Sequence, residues 1–376
     1  MKFIHLSDLH LGKRIDDFSL IDDQADILVK ILNIVKEEKP DGIIIAGDVY
    51  DRSIPTEEAI KLWDSFLNSL VCDGNKVYAI SGNHDSAVRF SEHNELIHSA
   101  GIYLAPAYDG EVKPLCIEDE HGKVNIYMLP FIKPINVRQY FPEEDINSYT
   151  DACRVAIEHM NVDQSQRNLL IAHQFVTGAV TCDSENISVG GLDNVDVSVF
   201  DCFDYVALGH IHGKQSIGRE TVRYCGTPLK YSFSETKHIK SVTVLEMEEK
   251  GKITIREIPL KPLHDMREIK GSYEELTLKK NYEGTDVDDY IHVILTDEDD
   301  VIDAIGKLRL IYKNIMKLSY DNKRTRENKT ITDLQNLNSK SPLELFEELY
   351  ELQNNQKMSD NQRQLATELI ESIWED

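Results

Sequence analysis

Two periods of apolar residues alternate along the first eighty residues of the chain. Short apolar runs over 3–6, 42–46 and 77–80 are typical of buried strands. Between them, residues 19–38 and 56–70 repeat their apolar side chains every three or four positions, which predicts helices with one buried face. Strands that alternate with helices in this way predict an α/β layered fold.

From about residue 102 the pattern becomes richer in strands. Apolar runs separated by turn-forming residues follow one another through the middle of the chain. They predict strands at 112–117, 124–129, 167–172, 204–208, 222–225, 241–247 and 252–258. With the first part of the chain, they favour a fold of the α/β (α+β) class, in which a two-layer β-sandwich core is flanked by helices.

The remaining sequence divides into a small domain, a linker and a tail. Pro259 and Pro262 mark a boundary after a first domain over 1–260. Residues 263–321 predict a small α/β capping domain, and the polar stretch 322–341 is typical of a linker. The elements of the small domain are predicted at 264–270, 272–280, 290–296, 300–314 and 316–320 in the order β-α-β-α-β.

The tail, residues 342–376, predicts two amphipathic helices. Two such helices cannot bury both of their apolar stripes against each other. They either pack on the main body or bind another chain, and we favour binding to another chain. The stripes comprise Leu343, Phe346, Leu349, Tyr350 and Leu352 in the first helix, and Leu365, Leu369, Ile370, Ile373 and Trp374 in the second.

Composition constrains where the chain works and what it binds. The 376 residues carry a formal net charge of −25, so the chain should bind DNA weakly unless bound cations or a partner supply positive charge. The six cysteines are scattered without a CxxC pair, and we expect them to be reduced and mostly buried. His5 and Asp8 interrupt the first residues in a way that is not typical of a secretory leader, which favours a cytoplasmic location.

Five segments that follow apolar runs carry residue types that bind divalent metals. Strands of a layered α/β fold direct their carboxyl ends to a common crevice, so we expect the five segments to meet there. Carboxylate, imidazole and amide oxygen favour Mn²⁺, Fe²⁺ or Zn²⁺, and the lack of cysteine among them argues against structural zinc. The segments are Asp8-Leu9-His10, Gly47-Asp48, Gly82-Asn83-His84-Asp85, His173 and Gly209-His210-Ile211-His212.

The order of these segments resembles the calcineurin-like metallophosphoesterase superfamily, whose pattern runs DxH, GDxxD, GNHD, His and GHxH. The residues in and around these motifs resemble those of the SbcD nucleases, bacterial relatives of the double-strand-break repair nuclease. This resemblance is carried by HLSDLHLGK, IAGDVYDR, SGNHDS, AHQF, LGHIHGKQ and YCGTPLKYSFSE. The resemblance is strong over residues 1–260 and looser over the rest of the chain.

This resemblance implies which residues hold two ions, with Asp48 shared between them. Two ions joined by one carboxylate lie roughly 3.5–4 Å apart, a spacing that suits in-line phosphoryl displacement by an activated water. Mn²⁺ is the ion that we expect. The implied ligands are Asp8, His10, Asp48 and His212 for one ion, and Asp48, Asn83, His173 and His210 for the other.

Two residues next to the ligands are candidate catalytic residues. The resemblance implies that His84 faces the substrate phosphate, where it protonates the leaving oxygen or stabilises the transition state. Asp85 either orients the His84 ring and raises its pKa or serves as a structural turn residue. The sequence departs from archaeal relatives at Asp51, where those proteins have a second substrate-facing His.

Basic residues near the motif segments are candidate DNA contacts, and each is open to the alternative of a solvated surface charge. The candidates in and beside the first motifs are Lys13, Arg14, Arg52, Arg89 and Lys133. Arg223, Lys230 and Tyr231, near the GHxH segment, are further candidates.

Partners are also implied by the resemblance. It implies a homodimer through helices predicted at 56–70 and 86–99, which otherwise cover the sheet. It further implies an SbcC-type ABC ATPase with a coiled coil, which residues 342–376 are our candidates to bind. This sequence has no GxxxxGK[ST] loop, so any dependence on ATP has to come from such a partner.

The function implied by the resemblance is a DNA nuclease of repair, replication and recombination that works at the nucleoid. Its implied activities are ATP-dependent 3′–5′ exonuclease cleavage of duplex ends and endonuclease cleavage of single strands and hairpins. The alternative is a metallophosphoesterase that acts on a small phosphoester or a phosphoprotein. The second domain, the linker and the tail favour the nuclease, since a small-substrate enzyme has no obvious need for them.

Overall fold

A computed structural model describes residues 1–92, 97–185, 193–323, 325, 342–354 and 357–374. Contacts divide the chain into a first unit, Met1–Met266, and a second unit, Arg267–Asp376. Among the described helices, none is long and apolar enough to cross a bilayer. Most of the linker predicted at 322–341 lies outside the described residues.

The chain forms nineteen strands and ten α-helices within the described residues. The strands, numbered in chain order, are β1 (Lys2–Leu6), β2 (Arg14–Ile15), β3 (Phe18–Ser19), β4 (Gly42–Ala46), β5 (Val77–Ile80), β6 (Ile102–Leu104), β7 (Leu115–Asp119), β8 (Gly122–Leu129), β9 (Arg167–His173), β10 (Phe175–Val176), β11 (Asn194–Val195), β12 (Tyr205–Gly209), β13 (Gln215–Ile217), β14 (Arg219–Tyr224), β15 (Ser241–Met247), β16 (Ile253–Pro259), β17 (Met266–Gly271), β18 (Tyr290–Leu295) and β19 (Ile315–Tyr320). The helices are α1 (Ile21–Glu38), α2 (Glu57–Cys72), α3 (Ala87–Phe90), α4 (Pro134–Arg138), α5 (Tyr149–Glu158), α6 (Tyr273–Thr277), α7 (Lys279–Tyr282), α8 (Ala304–Leu308), α9 (Pro342–Asn354) and α10 (Asp360–Trp374).

The first unit contains two six-stranded sheets. One has the order β16-β15-β1-β4-β5-β6, and the other has the order β13-β14-β12-β9-β8-β7. Within each sheet four adjacent strands run parallel, β1-β4-β5-β6 in the first and β14-β12-β9-β8 in the second. Antiparallel strands complete each sheet at its edges, namely β15 and β16 in the first and β13 and β7 in the second.

A shared hydrophobic core joins the two sheets. Phe3 and Ile44 from the first sheet belong to one buried cluster with Ile126, Ile171 and Ala207 from the second. Their strands are buried on both faces, which explains why they read as continuous apolar runs in the sequence. The predicted two-layer β-sandwich with flanking helices is therefore confirmed.

Helices cover the outer faces of this sandwich. On one side α1 contacts α2, and α2 lies against β5 with Trp63 and Leu70 buried. On the other side Ala152 and Val155 of α5 belong to a cluster that includes Leu170 of β9. Thr56 and Ser148 begin α2 and α5, since their side chains accept N–H groups from the first turn.

The second unit has a small core of its own. A three-stranded sheet has the order β17-β18-β19, with β18 and β19 parallel. Ile291, Val293 and Leu308 pack in this core with Ile315. The tail helices α9 and α10 contact one another, and the Glu347 carboxylate lies 2.6 Å from Arg363 Nε across the pair.

Two predicted elements differ from the structure. Of the helix predicted at 86–99, the structure describes the turn α3, where the Ser91 hydroxyl donates to the Ala87 carbonyl, while residues 93–96 are outside the described part. The strand predicted at 112–117 starts only at Leu115, since Pro114 offers no N–H to the ladder. The helix predicted at 300–314 is reduced to α8, and Leu310 beyond its end is 87% exposed.

All six cysteines are free. Cys153 and Cys225 are buried, and Cys182 and Cys202 are partly buried. Cys72 and Cys116 are exposed, so the prediction that the cysteines are mostly buried is wrong for these two. Burial raises the pKa of both the Cys153 and the Cys225 thiols to about 12, which keeps them protonated and unreactive.

Candidate two-metal centre

All five motif segments meet at the carboxyl ends of parallel strands from both sheets. Asp8 follows β1, Asp48 follows β4 and Asn83 follows β5, all in the first sheet. His173 ends β9 and His210 follows β12, both in the second sheet. Hydrogen bonds join the two edges directly, since His210 N donates to Asp8 Oδ1 over 3.0 Å and His173 Nδ1 lies 2.8 Å from the Ala46 carbonyl oxygen.

The backbone at this meeting point is strained. Asp8, His10, Asp48 and His210 have φ angles of 51°, 44°, 49° and 100°, a region that residues other than glycine rarely adopt. Four of the predicted ligands therefore depend on the surrounding structure to hold them in place. Such strain is typical of functional sites, where it fixes side chains in one direction.

Three glycines make room for the ligands. A Cβ atom on Gly47 would collide with the His173 ring, and one on Gly82 would collide with the Asp48 carboxylate. At Gly209 a Cβ would overlap the Ala46 carbonyl oxygen and lie 2.7 Å from His173 Nδ1. The glycines in the motifs are therefore needed for close approach, and only Gly47 among them also has a positive φ, of 88°.

One group of ligand atoms, which we call the first lobe, consists of Asp8, His10, Asp48 and His212. The Nε2 atoms of His10 and His212 lie 3.2 Å apart, and His10 Nε2 is 3.8 Å from Asp48 Oδ2. Asp8, His10 and His212 are buried and offer atoms that lie within 4.8 Å of one another. These three residues could therefore hold a divalent ion.

The second lobe consists of Asp48, Asn83, His173 and His210. Asn83 Oδ1 lies 3.0 Å from His173 Nε2 and 2.9 Å from His210 Nδ1. Asp48 Oδ2 lies 3.3 Å from His173 Nε2, so the same carboxylate oxygen faces both lobes. The other oxygen of Asp48, Oδ1, accepts the His84 N–H over 2.8 Å, which orients the carboxylate.

Burial and mutual interactions shift the pKa values of the ionisable groups in the two lobes. Burial raises the pKa of Asp8 to about 6, and burial with the neighbouring His173 lowers the pKa of His210 to about 3. Burial opposes charge at Asp48 and His173 too, but their mutual attraction outweighs it, holding the pKa of Asp48 well below its usual range and raising the pKa of His173 to about 9. Within the part of the chain that the structure describes, His10 Nδ1 and His210 Nε2 are buried and have no hydrogen-bond partner. Carboxylates, imidazoles and an amide oxygen without thiolates therefore suit a borderline divalent ion.

His84 lies at the edge of the first lobe. Its Nδ1 is 2.8 Å from the Asp51 carbonyl oxygen, and its ring meets that of His10 edge-on with centroids 4.8 Å apart. Because a carbonyl can only accept, His84 carries a proton on Nδ1. His84 also forms a candidate metal group with His10 and Asp48, which leaves a ligand role as an alternative to test.

Asp85 is held by backbone groups of the neighbouring loops. Its carboxylate accepts N–H groups from Val49 at 3.1 Å, Tyr50 at 2.9 Å and Gly82 at 2.9 Å. These contacts join the loops after β4 and β5, while the Nδ1 atom of His84 faces Asp51 instead. Of the two roles that the sequence leaves open for Asp85, these contacts support the structural one.

The basic candidates fall into two groups. Arg14, Arg52, Arg89 and Lys133 are exposed, so they remain available for DNA. Lys13 is partly buried and its Nζ lies 2.8 Å from Asp51 Oδ1.

The three candidates after the GHxH segment have structural partners. Arg223 is buried and paired with Glu257, and Lys230 Nζ donates to the Thr236 carbonyl over 2.8 Å. Tyr231 is buried, and its hydroxyl donates to the Leu9 carbonyl. Tyr231 therefore supports the loop that carries Asp8 and His10, and all three residues have a structural role.

Sequence reasoning missed a polar cluster behind His212. Ser184 Oγ lies 2.7 Å from His212 Nδ1, and the buried Glu235 carboxylate lies beyond it. Burial opposes the charge of Glu235, but His212 and Lys240 outweigh it and hold the pKa of Glu235 well below its usual range. The sequence did contain a clue to this cluster, because the YSFSE segment that ends at Glu235 is part of the family resemblance. The sequence assigned no chemical role to that segment.

Comparisons with known proteins agree with this geometry. Residues 1–214 match the family model of calcineurin-like phosphoesterases, and residues 262–354 match the model described as the type 5 capsule protein repressor C-terminal domain. The chain is 34% identical over 323 residues to the SbcD subunit of nuclease SbcCD from Staphylococcus epidermidis, covering 85% of this chain and 85% of that protein.

A second curated relative and one solved structure are also similar. The SbcD subunit of nuclease SbcCD from Staphylococcus saprophyticus is 34% identical, covering 85% of this chain and 84% of that protein. A dimetal phosphatase from Danio rerio covers 70% of this chain and 98% of its own at 11% identity, with a TM-score of 0.43 that is too low to support an argument. From the family model and the curated relatives, the chain belongs to the calcineurin-like phosphoesterases and, among them, to the family of SbcD nuclease subunits.

Proposed function

We propose that this chain is the metal-dependent DNA nuclease subunit of an SbcCD complex and that it hydrolyses DNA phosphodiesters with two ions. The observation that carries the proposal is the pair of lobes joined by Asp48 Oδ2. Such a pair suits the in-line displacement of a phosphate ester. Family membership directs the choice of ester to DNA, since the named relatives are nucleases.

The ligand assignment follows the two lobes. Asp8, His10 and His212 would hold one ion and Asn83, His173 and His210 the other, with Asp48 shared. Mn²⁺ is the ion that we propose for both, as the mixed carboxylate and imidazole set favours it over purely oxygen-bound ions. Bound ions supply a water of lowered pKa as nucleophile and charge stabilisation for the phosphate oxygens.

His84 and Asp51 act next to the lobes. The Asp51 carbonyl accepts the Nδ1–H of His84. With a second proton on Nε2, the imidazolium form of the ring would protonate the leaving oxygen and return to the neutral imidazole. The Asp51 carboxylate lies 3.7 Å from His10 Nδ1 and pairs with Lys13, and it stands where archaeal relatives have a second His. Asp85 holds the loops that carry His84 and Asp48, which makes it a positioning residue.

The proposed substrates are duplex ends, hairpins and single-stranded DNA. We propose 3′–5′ exonuclease action on duplexes and endonuclease action on hairpins and single strands, in repair, replication and recombination at the nucleoid of the cytoplasm. With a net charge of −25, the chain relies on bound cations and a partner for its affinity for phosphate. Arg14, Arg52 and Arg89 are the exposed residues that we propose to touch DNA.

The tail supplies the proposed contact with an SbcC-type ATPase. Phe346 and Leu349 on α9 and Leu365 and Leu369 on α10 are each 45–57% exposed, although the two helices contact one another. Apolar side chains that stay exposed in this way are typical of a helix-binding surface. Residues 342–376 are therefore the proposed site for the coiled coil of the partner.

A homodimer through the region of α2 and α3 is the second proposed assembly. Trp63 and Leu70 of α2 are buried against the sheet, so this helix does cover the sheet, as one of the two predicted alternatives required. Ile54 and Val88 nevertheless are 70% and 73% exposed, and Ile54 lines a cavity of about 680 Å³ together with Trp63 and Phe90. A two-fold dimer there would bury these side chains and bring two active sites to two DNA ends.

The test of the proposed function compares two substrates under Mn²⁺. We expect the purified chain with its ATPase to cut a hairpin DNA and to hydrolyse an aryl phosphate much more slowly. The Asp48→Asn variant removes the shared charge and should abolish both activities. Fast aryl phosphate hydrolysis with no DNA cleavage would instead indicate an enzyme of small phosphoesters.

A further inference from the structure

The hydroxyl of Ser184 lies between a proposed metal ligand and a buried carboxylate. Ser184 Oγ is 2.7 Å from His212 Nδ1 and 2.7 Å from Glu235 Oε1. The other ring nitrogen of His212, Nε2, lies 3.2 Å from His10 Nε2 in the first lobe. Ser184 therefore contacts His212 at the nitrogen that does not face the lobe.

Glu235 accepts hydrogen bonds and offers none. Its side chain is fully buried, and Lys240 Nζ donates to Oε2 over 2.5 Å while the Tyr231 N–H donates to Oε1 over 3.1 Å. A buried carboxylate that faces an ammonium and an amide is stable in the ionised form. The single proton of the Ser184 hydroxyl consequently points to Glu235.

This direction determines the proton on His212. Once Ser184 donates to Glu235, its oxygen can only accept from the ring, so His212 must carry its hydrogen on Nδ1. A neutral imidazole with hydrogen on Nδ1 presents a lone pair at Nε2, the atom that faces the first lobe. The opposite tautomer would present an N–H to an ion and could not bind it.

The same cluster also fixes the backbone of His212. Lys240 Nζ donates to the His212 carbonyl over 2.9 Å and to Thr227 Oγ1 over 2.6 Å, in addition to Glu235. Glu185 Oε1 accepts the His212 N–H over 2.7 Å. Both the ring and the main chain of His212 are thus held by groups that are not themselves candidate ligands.

We propose that Ser184, held by Glu235 and Lys240, is a positioning residue that selects the metal-binding tautomer of His212. This gives the YSFSE segment a role: its final residue orients the hydroxyl that orients the ligand. The inference rests on the proposed two-ion centre, because an oriented Nε2 lone pair matters only where an ion binds.

The tautomer can be measured directly in the metal-free protein. Two-bond ¹⁵N–¹H spectra of protein labelled at histidine distinguish the two ring nitrogens, and His212→Gln identifies the His212 signals. We expect hydrogen on Nδ1 in the wild type and in Ser184→Thr, which keeps the hydroxyl. Ser184→Ala should give a mixture, and Glu235→Gln, whose amide can donate to Ser184, should shift hydrogen to Nε2.

Metal binding supplies a second readout. Loss of a hydrogen-bond partner behind a ligand typically costs roughly 10- to 100-fold in metal affinity. By calorimetry with Mn²⁺, Ser184→Ala should weaken one of two sites by about that factor and leave the other within about twofold. Ser69→Ala is the matched control, since it removes a hydroxyl that donates only to Ser65 on α2.

The outcomes separate this inference from the proposed function. Hydrogen on Nε2 in the wild type, or two unchanged affinities in Ser184→Ala, would overturn the positioning role while the nuclease proposal stands. A wild type that binds no Mn²⁺ would overturn the nuclease proposal, and the spectra would still test the contact of Ser184 with His212. If Glu235→Gln does not fold, the two variants of Ser184 decide the question.

Discussion

At the scale of single residues, hydrogen bonds decide roles that motifs leave open. The meeting of the seven candidate ligands was predictable because each stands in a motif at or just after the end of a buried strand. The role of Asp85 was not, because its partners Val49 and Tyr50 lie more than thirty residues earlier in the chain. Ser184 was missed for the same reason, since its contacts with His212 and Glu235 leave no periodic trace in the sequence.

His84 gives the sharpest prediction at this scale. His84→Ala should retain both ions, because each lobe is complete without it, and should lose roughly 10²- to 10⁴-fold in DNA cleavage as a proton donor is removed. Mn²⁺ binding by calorimetry and hairpin cleavage should be measured on the same sample. Loss of one ion in this variant would show that His84 is a ligand.

The metal affinity should depend on pH through His173. Its Nδ1 faces the Ala46 carbonyl and its Nε2 faces Asn83 Oδ1, which fits a doubly protonated ring, and its pKa is raised to about 9. An ion in the second lobe must displace the Nε2 proton, so Mn²⁺ affinity should rise about tenfold per pH unit up to about pH 9. Below about pH 6, Asp8 also becomes protonated because its pKa is raised, and this proton competes with an ion in the first lobe.

Calorimetry at pH 6.5, 7.5 and 8.5 in buffers of different ionisation enthalpy would check this dependence. Each ion bound in the second lobe near pH 7.5 should release about one proton. An affinity that does not change with pH would show that His173 is already neutral in the metal-free protein.

At the scale of elements, the candidate metal centre forms where the carboxyl ends of parallel strands from both sheets meet. Continuous apolar runs made the buried parallel strands predictable, and the carboxyl ends of these strands carry the motifs. The short helix α8 was not predictable in length, because apolar residues such as Leu310 continue the pattern while remaining exposed. Periodicity records which residues are apolar, while the end of a helix depends on local hydrogen bonds.

The end of β12 gives a prediction about stability. A methyl group from Gly209→Ala would overlap the Ala46 carbonyl, which belongs to the opposite sheet, and push on His173. We expect the free energy of unfolding to fall by about 2–5 kcal/mol and Mn²⁺ binding in the second lobe to weaken. Gly271→Ala is the control, because its methyl would meet only side-chain atoms, at 3.2 Å or more.

Thermal unfolding of the metal-free proteins provides the measurement. The Gly209→Ala variant should melt several degrees below the wild type, at roughly 2–4 °C for each kcal/mol. Equal melting temperatures for Gly209→Ala and the wild type would mean that the two sheet edges can separate at no cost, contrary to the packing described.

At the scale of the whole molecule, charge and exposed apolar surface direct the chain towards partners. The sequence indicated both features through its net charge of −25 and the stripes of the tail. How partners bind could not be derived from the sequence, since patterns identify an apolar face without identifying what covers it. The structure adds that Phe346 and Leu365 stay exposed although α9 and α10 contact one another.

The tail should therefore be separable from catalysis. Phe346→Asp together with Leu365→Asp should weaken binding of the SbcC-type ATPase at least about tenfold, since both side chains would enter the interface. Mn²⁺ binding of the isolated chain should stay as in the wild type. Pull-down or calorimetric titration with the ATPase checks the first result, with the exposed Gln353→Ala as control.

Asp48 Oδ2 faces both lobes, so two ions that bind there would share one carboxylate oxygen and their affinities would depend on one another. The first ion to arrive takes the full charge of the carboxylate, and the second meets a neighbour of like sign, so the second step of loading is the weaker one. At limiting manganese most molecules would be folded yet half-loaded and idle. The active fraction in a cell would then follow metal supply as much as the amount of protein.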